Sequence, residues 1–318
     1  MPSEFDLIRR HFLQPTPSAV LGPGDDCALL VPSAGMELAI TTDMLVEGTH
    51  FLPTVSPELL GWKAVAVNLS DLAAMGAQPR WLLLAGSLPS ADEEWLASFA
   101  AGLFACSTRY AVELIGGDTT RGPLNLCLTA LGELPAGSAL RRDRARLGDD
   151  LWVSGLPGRA ALGLAHLQGR TQLPPALATS CLAALQQPQP RVELGLELRR
   201  RGLANAAIDI SDGLLADLAH ILDRSAVGAE ILVSALPQLP AGVALELARN
   251  CQLSGGDDYE LVFSAPPGAR SAIGELADQL ALPLTRCGRI VEAAGGLRLL
   301  DADGRPLASE QRGFDHFA

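Results

Sequence analysis

Residues 57–85 read PELLGWKAVAVNLSDLAAMGAQPRWLLLA, and this stretch decides the fold class. Its first part, 57–75, carries Trp62, Val65, Leu69 and Leu72 at helical spacing. Its end, 80–85, is a short apolar run that reads as a strand. A helix delivered straight into a strand is the building unit of an α/β or α+β protein. Working outward, the same alternation recurs. Strands are expected over 37–42, 111–115 and 124–131, with a helix from about 92 to 109. Residues 135–150 combine Gly, Ser and arginines with Gly148-Asp149-Asp150, the composition of a domain connection. Beyond it come a strand at 151–154, helices near 159–167 and 176–186, and a break at Pro188-Gln189-Pro190. A strand at 206–210 then leads into a helix at 212–223, and 229–301 mixes both kinds of element. The expected organisation is two lobes, 1–137 and 138–318.

Composition narrows the chemistry. Of 318 residues, 48% are hydrophobic and 19% charged, enough to build a substantial core. Twenty-four basic residues against 36 acidic ones leave a net charge of −12, which repels nucleic acid and anionic membrane. No apolar run approaches the roughly 20 residues needed to cross a bilayer. Met1 to Arg10 contains Glu4 and Asp6 and lacks the cationic-then-apolar order of an export signal, so a cytoplasmic location is expected. The six cysteines are scattered with no Cys-x-x-Cys pair, which disfavours zinc ribbons, iron–sulfur clusters and a disulfide framework. Lys63 is the single lysine and follows Trp62, so no Gly-Lys-Ser/Thr phosphate loop exists.

The informative residues are aspartates. Gly22-Pro23-Gly24-Asp25-Asp26 is a turn with two carboxylates; Thr41-Thr42-Asp43 is expected to end a strand. Asp71 lies in an otherwise apolar helix, with Asn68 one turn before it on the same face and only Lys63 and Arg80 as nearby cations. Gly116-Gly117-Asp118-Thr119-Thr120 is expected to form a turn after the strand 111–115, and Asp209-Ile210-Ser211-Asp212 to join a strand to a helix. Singly, each has a structural reading: Asp212 as a helix N-cap, Asp118 as a turn residue, Asp25-Asp26 as a solvated bend. Together they would repel, since two unit charges ~4 Å apart cost roughly 4 kcal/mol at an effective dielectric near 20. Either their pKa values rise or divalent cations sit among them. Hard oxygen donors without His or Cys spacing favour magnesium, which bridges carboxylates to phosphates. Arg141-Arg142-Asp143-Arg144-Ala145-Arg146 is the densest basic run, either a solvated linker or a phosphate contact. Backbone N–H groups at Gly117 and near Ser211 are candidate phosphate donors. Leu69-Ser70-Asp71-Leu72 and Ile115-Gly116-Gly117-Asp118 find a faint echo in Ile210-Ser211-Asp212-Gly213 and Ser254-Gly255-Gly256-Asp257, through related lobes or by chance.

In order along the chain, Gly-x-Gly-Asp-Asp-Cys-Ala (22–28), Thr-Thr-Asp-Met-Leu-Val-Glu-Gly-x-His-Phe (41–51), Ala-Val-Asn-Leu-Ser-Asp-Leu-Ala-Ala-Met-Gly-Ala (66–77), Ile-Gly-Gly-Asp-Thr-Thr-Arg-Gly (115–122), Ile-Asp-Ile-Ser-Asp-Gly-Leu (208–214), Ser-Gly-Gly-Asp-Asp-Tyr-Glu-Leu (254–261) and Gly-Phe-Asp-His-Phe (313–317) closely resemble the thiamine-monophosphate kinase family. Single elements recur in the wider aminoimidazole-ribonucleotide-synthetase superfamily. The resemblance implies transfer of a phosphoryl group from ATP to thiamine monophosphate. It implies an N-terminal α/β lobe whose mixed sheet joins that of a second subunit in a dimeric β-barrel, a C-terminal α/β lobe, and an active site in the groove between lobes. By the same resemblance Asp26, Thr41, Thr42, Asp43, Asp71, Asp118 and Asp209 correspond to ligands of several Mg²⁺ ions, Thr41 and Thr42 through backbone or hydroxyl oxygens, with Asp212 holding a further ion. Gly117, Asp118, Arg142 and Ser211 match nucleotide contacts, with Asp43, Asp71 and Arg142 the catalytic set. His50, Asp257 and Phe314 match contacts to the thiamine substrate. Asp257 stands where the family more often has Glu, and Phe314 replaces a Tyr or Trp.

Mechanism follows from the acceptor. A phosphate monoester, with a second pKa of about 6, is mostly dianionic at neutral pH and needs no general base. The expectation is direct in-line transfer with no phosphoenzyme, driven by positioning and charge neutralisation. Two other readings are another ATP-dependent synthetase of the same superfamily, and a non-catalytic regulator that binds magnesium–nucleotide without turnover.

Overall fold

The computed structural model describes residues 4–238 and 241–307. The chain divides into two compact units, Met1–Leu72 with Ala77–Ser138, and Ala73–Gly76 with Ala139–Ala318.

In the first unit the order is α1 (Glu4–His11), β1 (Met36–Val46), α2 (Pro57–Ala74), β2 (Gln78–Leu88), α3 (Glu93–Arg109), β3 (Glu113–Arg121) and β4 (Asn125–Pro135). The four strands form one sheet in the order β1-β4-β2-β3. β2 and β3 run parallel, joined through α3, while β4 is antiparallel to both β1 and β2. Asp92 caps α3 by accepting the N–H groups of Glu94 and Trp95, both at 3.0 Å. Every residue of α2 from 61 to 70 is buried, so its apolar positions go all round the helix rather than along one stripe. β1 alternates instead. Its register sets Asp43 opposite Leu128 and Thr42 opposite Thr129, and the next strand sets Leu84 opposite Leu128. Asp43 therefore shares its face with two buried leucines. The other face carries Met36, Leu38, Ile40 and Met44, all exposed.

Two expected boundaries move. Thr41-Thr42-Asp43 lie inside β1, which continues to Val46, and Gly116-Gly117-Asp118 lie inside β3 rather than on a turn after it. β3 can run through two glycines because it presses on β2 there. A Cβ built on Gly117 would stand 2.0 Å from the Leu84 carbonyl oxygen, so only glycine lets the strands approach so closely.

The second unit runs β5 (Asp150–Ser154), α4 (Arg159–Leu167), α5 (Pro175–Gln186), α6 (Val192–Arg200), β6 (Ala206–Asp209), α7 (Leu214–Ser225), β7 (Val227–Leu232), α8 (Leu245–Ser254), β8 (Leu261–Ala265), α9 (Arg270–Leu280), β9 (Leu284–Glu292), β10 (Leu297–Leu300) and β11 (Pro306–Leu307). Its seven strands are ordered β11-β10-β7-β9-β5-β8-β6, mixed because only β7 and β10 pair in parallel. Both faces of the central strands are covered. Leu151, Val153, Ile208 and Val262 pack with Leu214, Leu218 and Ile221 of α7. Trp152, Ala207, Leu261 and Phe263 pack with α6 and α9 through Leu194, Leu198, Ile273 and Leu276. That is why the sequence of β5 and β8 reads as a continuous apolar run rather than an alternation.

The internal echo does not reflect shared architecture. Leu69–Leu72 is helix interior whereas Ile210–Gly213 is a turn, and Ile115–Asp118 is strand whereas Ser254–Asp257 follows a helix. The two sheets also differ in strand number and order.

Candidate active site

The first unit brings four polar residues together on the buried side of β1. Thr41 and Asp43 point from the strand towards α2, one residue either side of Thr42. Thr41 Oγ1 donates to Asp71 Oδ2, and the Asp43 N–H donates to Asn68 Oδ1 at 3.2 Å. Asn68, fully buried, is held by its own Nδ2 donating to the Ala64 carbonyl one turn back. The expected shared face of Asn68 and Asp71 is thus observed. Burial raises the Asp43 carboxyl to about 7, and the neighbouring Asp71 charge adds to the rise. Of the two cations near Asp71 in sequence, Arg80 pairs with Glu133, Nε to Oε2 at 3.5 Å. Lys63 is buried with Nζ 3.5 Å from the His50 carbonyl. His50 accepts the Val46 N–H at Nδ1, at 3.0 Å, so a neutral His50 ring carries its proton on Nε2 and can donate it.

Three expected members of this set are placed elsewhere. The Thr42 side chain leaves β1 on the opposite face, donating to the Leu128 carbonyl at 3.0 Å and accepting from Thr129 Oγ1 at 3.1 Å. Strand alternation forbids its hydroxyl from joining Asp43. Asp118 pairs in register with Ala85, and both are exposed. Asp26 sits on an exposed turn where its N–H donates to Asp25 Oδ1. Among the described residues no group of three or more His, Cys, Asp or Glu side chains is gathered as a metal-holding cluster. The expected convergence of carboxylates is reduced in this unit to the pair Asp43 and Asp71.

In the second unit Asp209 is buried at the end of β6. The chain then turns through Ile210–Gly213 before α7 begins at Leu214, two residues later than the spacing predicts. The delay has a cause. Asp217 Oδ2, almost wholly buried, accepts the N–H groups of Ser211, Asp212 and Gly213, each at 3.0 Å. Burial raises the Asp217 carboxyl to about 7 despite these bonds. The helix-start amides expected to meet phosphate are therefore engaged by a carboxylate of the same chain. Asp212 does not act as an N-cap; Gly213 holds that position with no side-chain cap.

A second segment lies against this turn. The Asp257 N–H donates to the Ser211 carbonyl and the Tyr259 N–H to Ile210, both at 2.8 Å. A Cβ on Gly256 would stand 2.2 Å from the Ser211 oxygen, so the Gly-Gly preceding Asp257 is a requirement of backbone contact. Asp257 and Tyr259 both adopt positive φ, 68° and 51°, a conformation that costs non-glycine residues about 1 kcal/mol or more. Tyr259 donates its hydroxyl to Asp257 Oδ1 at 3.1 Å, fixing the carboxylate. Asp258 is buried and accepts the Gly158 and Ala160 N–H groups at the start of α4, and its pKa is raised by burial. Glu260 forms a two-pronged ion pair with Arg191 at 2.6 Å. Arg142 is exposed, but its carbonyl is tied to Ser225 Oγ at the end of α7. Phe314 lies outside the described residues.

Sequence spacing missed Asp217, Asp258, Tyr259, Glu260 and Arg191. Asp217 carried a usable signal, the one that singled out Asp71: a carboxylate among Leu214, Leu215, Leu218 and Ile221 on an apolar helix face.

The AIR synthase related protein N-terminal domain matches residues 24–134, and the corresponding C-terminal domain matches 146–299. Thiamine-monophosphate kinase of Salmonella typhimurium is 47% identical over 326 residues, covering 99% of this chain and 98% of that one. The Haemophilus influenzae enzyme is 45% identical over 99% and 98% of the two chains. The chain belongs to the thiamine-monophosphate kinase family. Among solved members of this kinase family, the Stenotrophomonas maltophilia K279a protein shares 48% identity and superposes with a TM-score of 0.86, covering 95% of this chain and 96% of that one. AaThiL, solved in complex with AMPPCP and TMP, shares 31% identity at a TM-score of 0.78, over 98% and 96% of the two chains. The hydrogenase maturation protein HypE, at 24% identity and a TM-score of 0.76 over 96% and 98%, shares the fold.

Proposed function

We propose that this protein transfers a phosphoryl group from ATP to thiamine monophosphate with Mg²⁺, yielding thiamine diphosphate. The observation that carries the reading is the Asp43–Asp71 pair, two carboxylates held side by side between β1 and α2 in a chain of this kinase family. The donor set fits magnesium, being all oxygen, with Asp43 poised to ionise when a cation approaches. Asp43 and Asp71 are assigned to the metal in the first unit, with Thr41, Asp26, Asp118 and the Thr42 backbone as further candidates. In the second unit Asp209 is assigned to Mg²⁺ and Asp212 to a further ion. Bound magnesium would neutralise charge on the transferred group.

The remaining work falls to the chain. Ser211, Arg142 and Gly117, with Asp118, are assigned to the nucleotide; Arg142 is solvent-exposed and free of a described carboxylate partner, unlike Arg141, which is clasped by Asp143. His50 is assigned to the thiamine substrate, and Asp257 holds a cationic ring system with a carboxylate oriented by Tyr259. Phe314 is assigned to the same substrate. Since the acceptor is already anionic, no residue is assigned as a base, and transfer is in line without a phosphoenzyme.

The first unit is also assigned to dimerisation. Met36, Leu38, Ile40 and Met44 form an exposed apolar row along the edge strand β1, with Cys127, Thr129 and Leu131 of β4 on the same face. A second copy of this sheet would cover it. We place the reaction in the cytoplasm; among the described residues no helix is long and apolar enough to cross a membrane.

An ADP-release assay tests the activity. ADP should form with thiamine monophosphate and Mg²⁺, and not with free thiamine or without acceptor; equal release in all three would overturn the assignment. A second prediction concerns pH. In metal-free protein the Asp43 pKa is raised above its unfolded value, so stability is greatest below about pH 4 for this group and falls as pH rises to about 7. The loss is at most about 4 kcal/mol. A cation requires the ionised form, so the gain in Tm on adding Mg²⁺ should grow between pH 5.5 and 7.5 and then level off. Calorimetry at four pH values checks this, and Asp43→Asn should flatten the trend.

A further inference from the structure

Three consecutive N–H groups turned towards one point form an anion site of the kind that binds phosphate. At Ser211–Asp212–Gly213 all three are directed at Asp217 Oδ2, 3.0 Å away in each case. Asp217 comes from the first turn of α7, four residues beyond Gly213, and is among the most buried charged residues of the chain. Among the described residues its side-chain hydrogen bonds go to this turn alone. They fix the turn between Asp209 and Leu214 from beneath, while Asp257 N–H and Tyr259 N–H fix it from the side through the carbonyls of Ser211 and Ile210. Gly213, at φ 122°, supplies the backbone conformation that lets the turn close, with Ser254 backbone 2.8 Å from where its Cβ would be.

We infer that Asp217 is the positioning residue of the nucleotide-binding turn: its carboxylate takes the place a phosphate would occupy, so Ser211 and Asp212 meet magnesium–nucleotide through their side chains and not through their amides. The inference rests on the assignment of Ser211 and Asp212 made above. The arrangement has a simple logic. An amide nest left open would compete with the metal for phosphate oxygens, and a turn held only by its ends would let the Asp212 carboxylate wander. A buried acceptor that satisfies three donors at once removes both freedoms.

The test compares wild type, Asp217→Asn, Asp217→Ala and, as a control on the same helix, exposed Asp223→Ala. Two readouts do not depend on turnover: hydrogen exchange of the peptide spanning 208–216, and Mg–ADP affinity by calorimetry. In wild type the three amides should be protected without ligand, and Mg–ADP should add little protection. Asp217→Ala should lose that protection and bind Mg–ADP at least tenfold more weakly, with the KM for ATP raised more than that for thiamine monophosphate. Asp217→Asn, which keeps an acceptor oxygen, should retain protection and bind within about threefold, a loss below about 0.7 kcal/mol. Asp223→Ala should match wild type.

Mg–ADP binding within twofold of wild type in a variant whose amides have lost protection overturns the inference. So does wild-type protection that appears only when Mg–ADP is added, because the amides would then be serving phosphate. If Asp217→Ala does not fold, the Asn variant decides: retained protection with affinity lost more than tenfold would make the carboxylate itself a ligand group and sink the positioning role. A wild type that binds Mg–ADP with protected amides yet leaves thiamine monophosphate unphosphorylated would refute the proposed reaction and leave this inference standing.

Discussion

Asp43→Asn and Asp71→Asn are each expected to lower kcat by about 10²–10³-fold at saturating magnesium, the scale found when one preorganised charge-stabilising group is removed. For Asp43 the fold should not suffer. The bond from this residue to Asn68 is made by its backbone N–H, which the substitution leaves in place. Its carboxyl is buried beside Asp71, so replacing it by a neutral amide removes a repulsion that grows with pH. Thermal stability of metal-free Asp43→Asn at pH 8 should therefore equal or exceed that of wild type while activity collapses. Asp71→Asn differs, since Asp71 Oδ2 accepts the Thr41 hydroxyl and an amide can present its nitrogen there instead. Steady-state kinetics with calorimetry on the same preparations separates these effects. Near-normal turnover in both variants would end the proposal that this pair holds the metal.

Gly117→Ala is expected to destabilise the first unit by about 3 kcal/mol, at the upper end for a small residue enlarged in a packed position. The added methyl meets the Leu84 carbonyl oxygen at 2.0 Å and the Leu84 carbon at 2.9 Å. Both are backbone atoms of the paired strand, which cannot rotate aside as a side chain would. β3 must move away from β2 or lose pairing from Gly116 to Arg121. Urea unfolding should show a lowered midpoint, and the KM for ATP should rise because Asp118 is the next residue. Normal stability with an isolated loss of ATP affinity would instead make Gly117 a ligand contact whose glycine is demanded by the nucleotide. Both roles were assigned to the same Gly-Gly-Asp signal, and only this pair of measurements divides them.

The legible part of this protein was what depends on local period. The run 57–74 is helix and 78–88 strand because apolar spacing changes between them, and Asp92 starts α3 because a carboxylate there can take two free N–H groups. Asp71 announced itself by being a carboxylate on an apolar helix, where burial cost calls for a cation partner or a metal, but that cost does not say which strand acid lies beside it. What local spacing could not supply shares one origin. Thr42 and Asp43 are neighbours in sequence and equally oxygen-bearing, yet a strand sends them to opposite faces. Gly116-Gly117-Asp118 looks like a turn until a second strand is seen to lie against it. The amides at Ser211–Gly213 look like a phosphate cradle until Asp217 is seen to fill it.

By itself, the sequence determined the element types, the absence of a Gly-Lys-Ser/Thr phosphate loop, the set of acidic residues and the family to which they belong. Local spacing and residue chemistry suffice for each of these. Only the tertiary structure decided which of those acids meet, which donors are already satisfied and which glycines exist for packing. Those outcomes depend on register between strands and on burial by residues far away in the chain, where a shift of one position exchanges a half-buried carboxylate for an exposed hydroxyl.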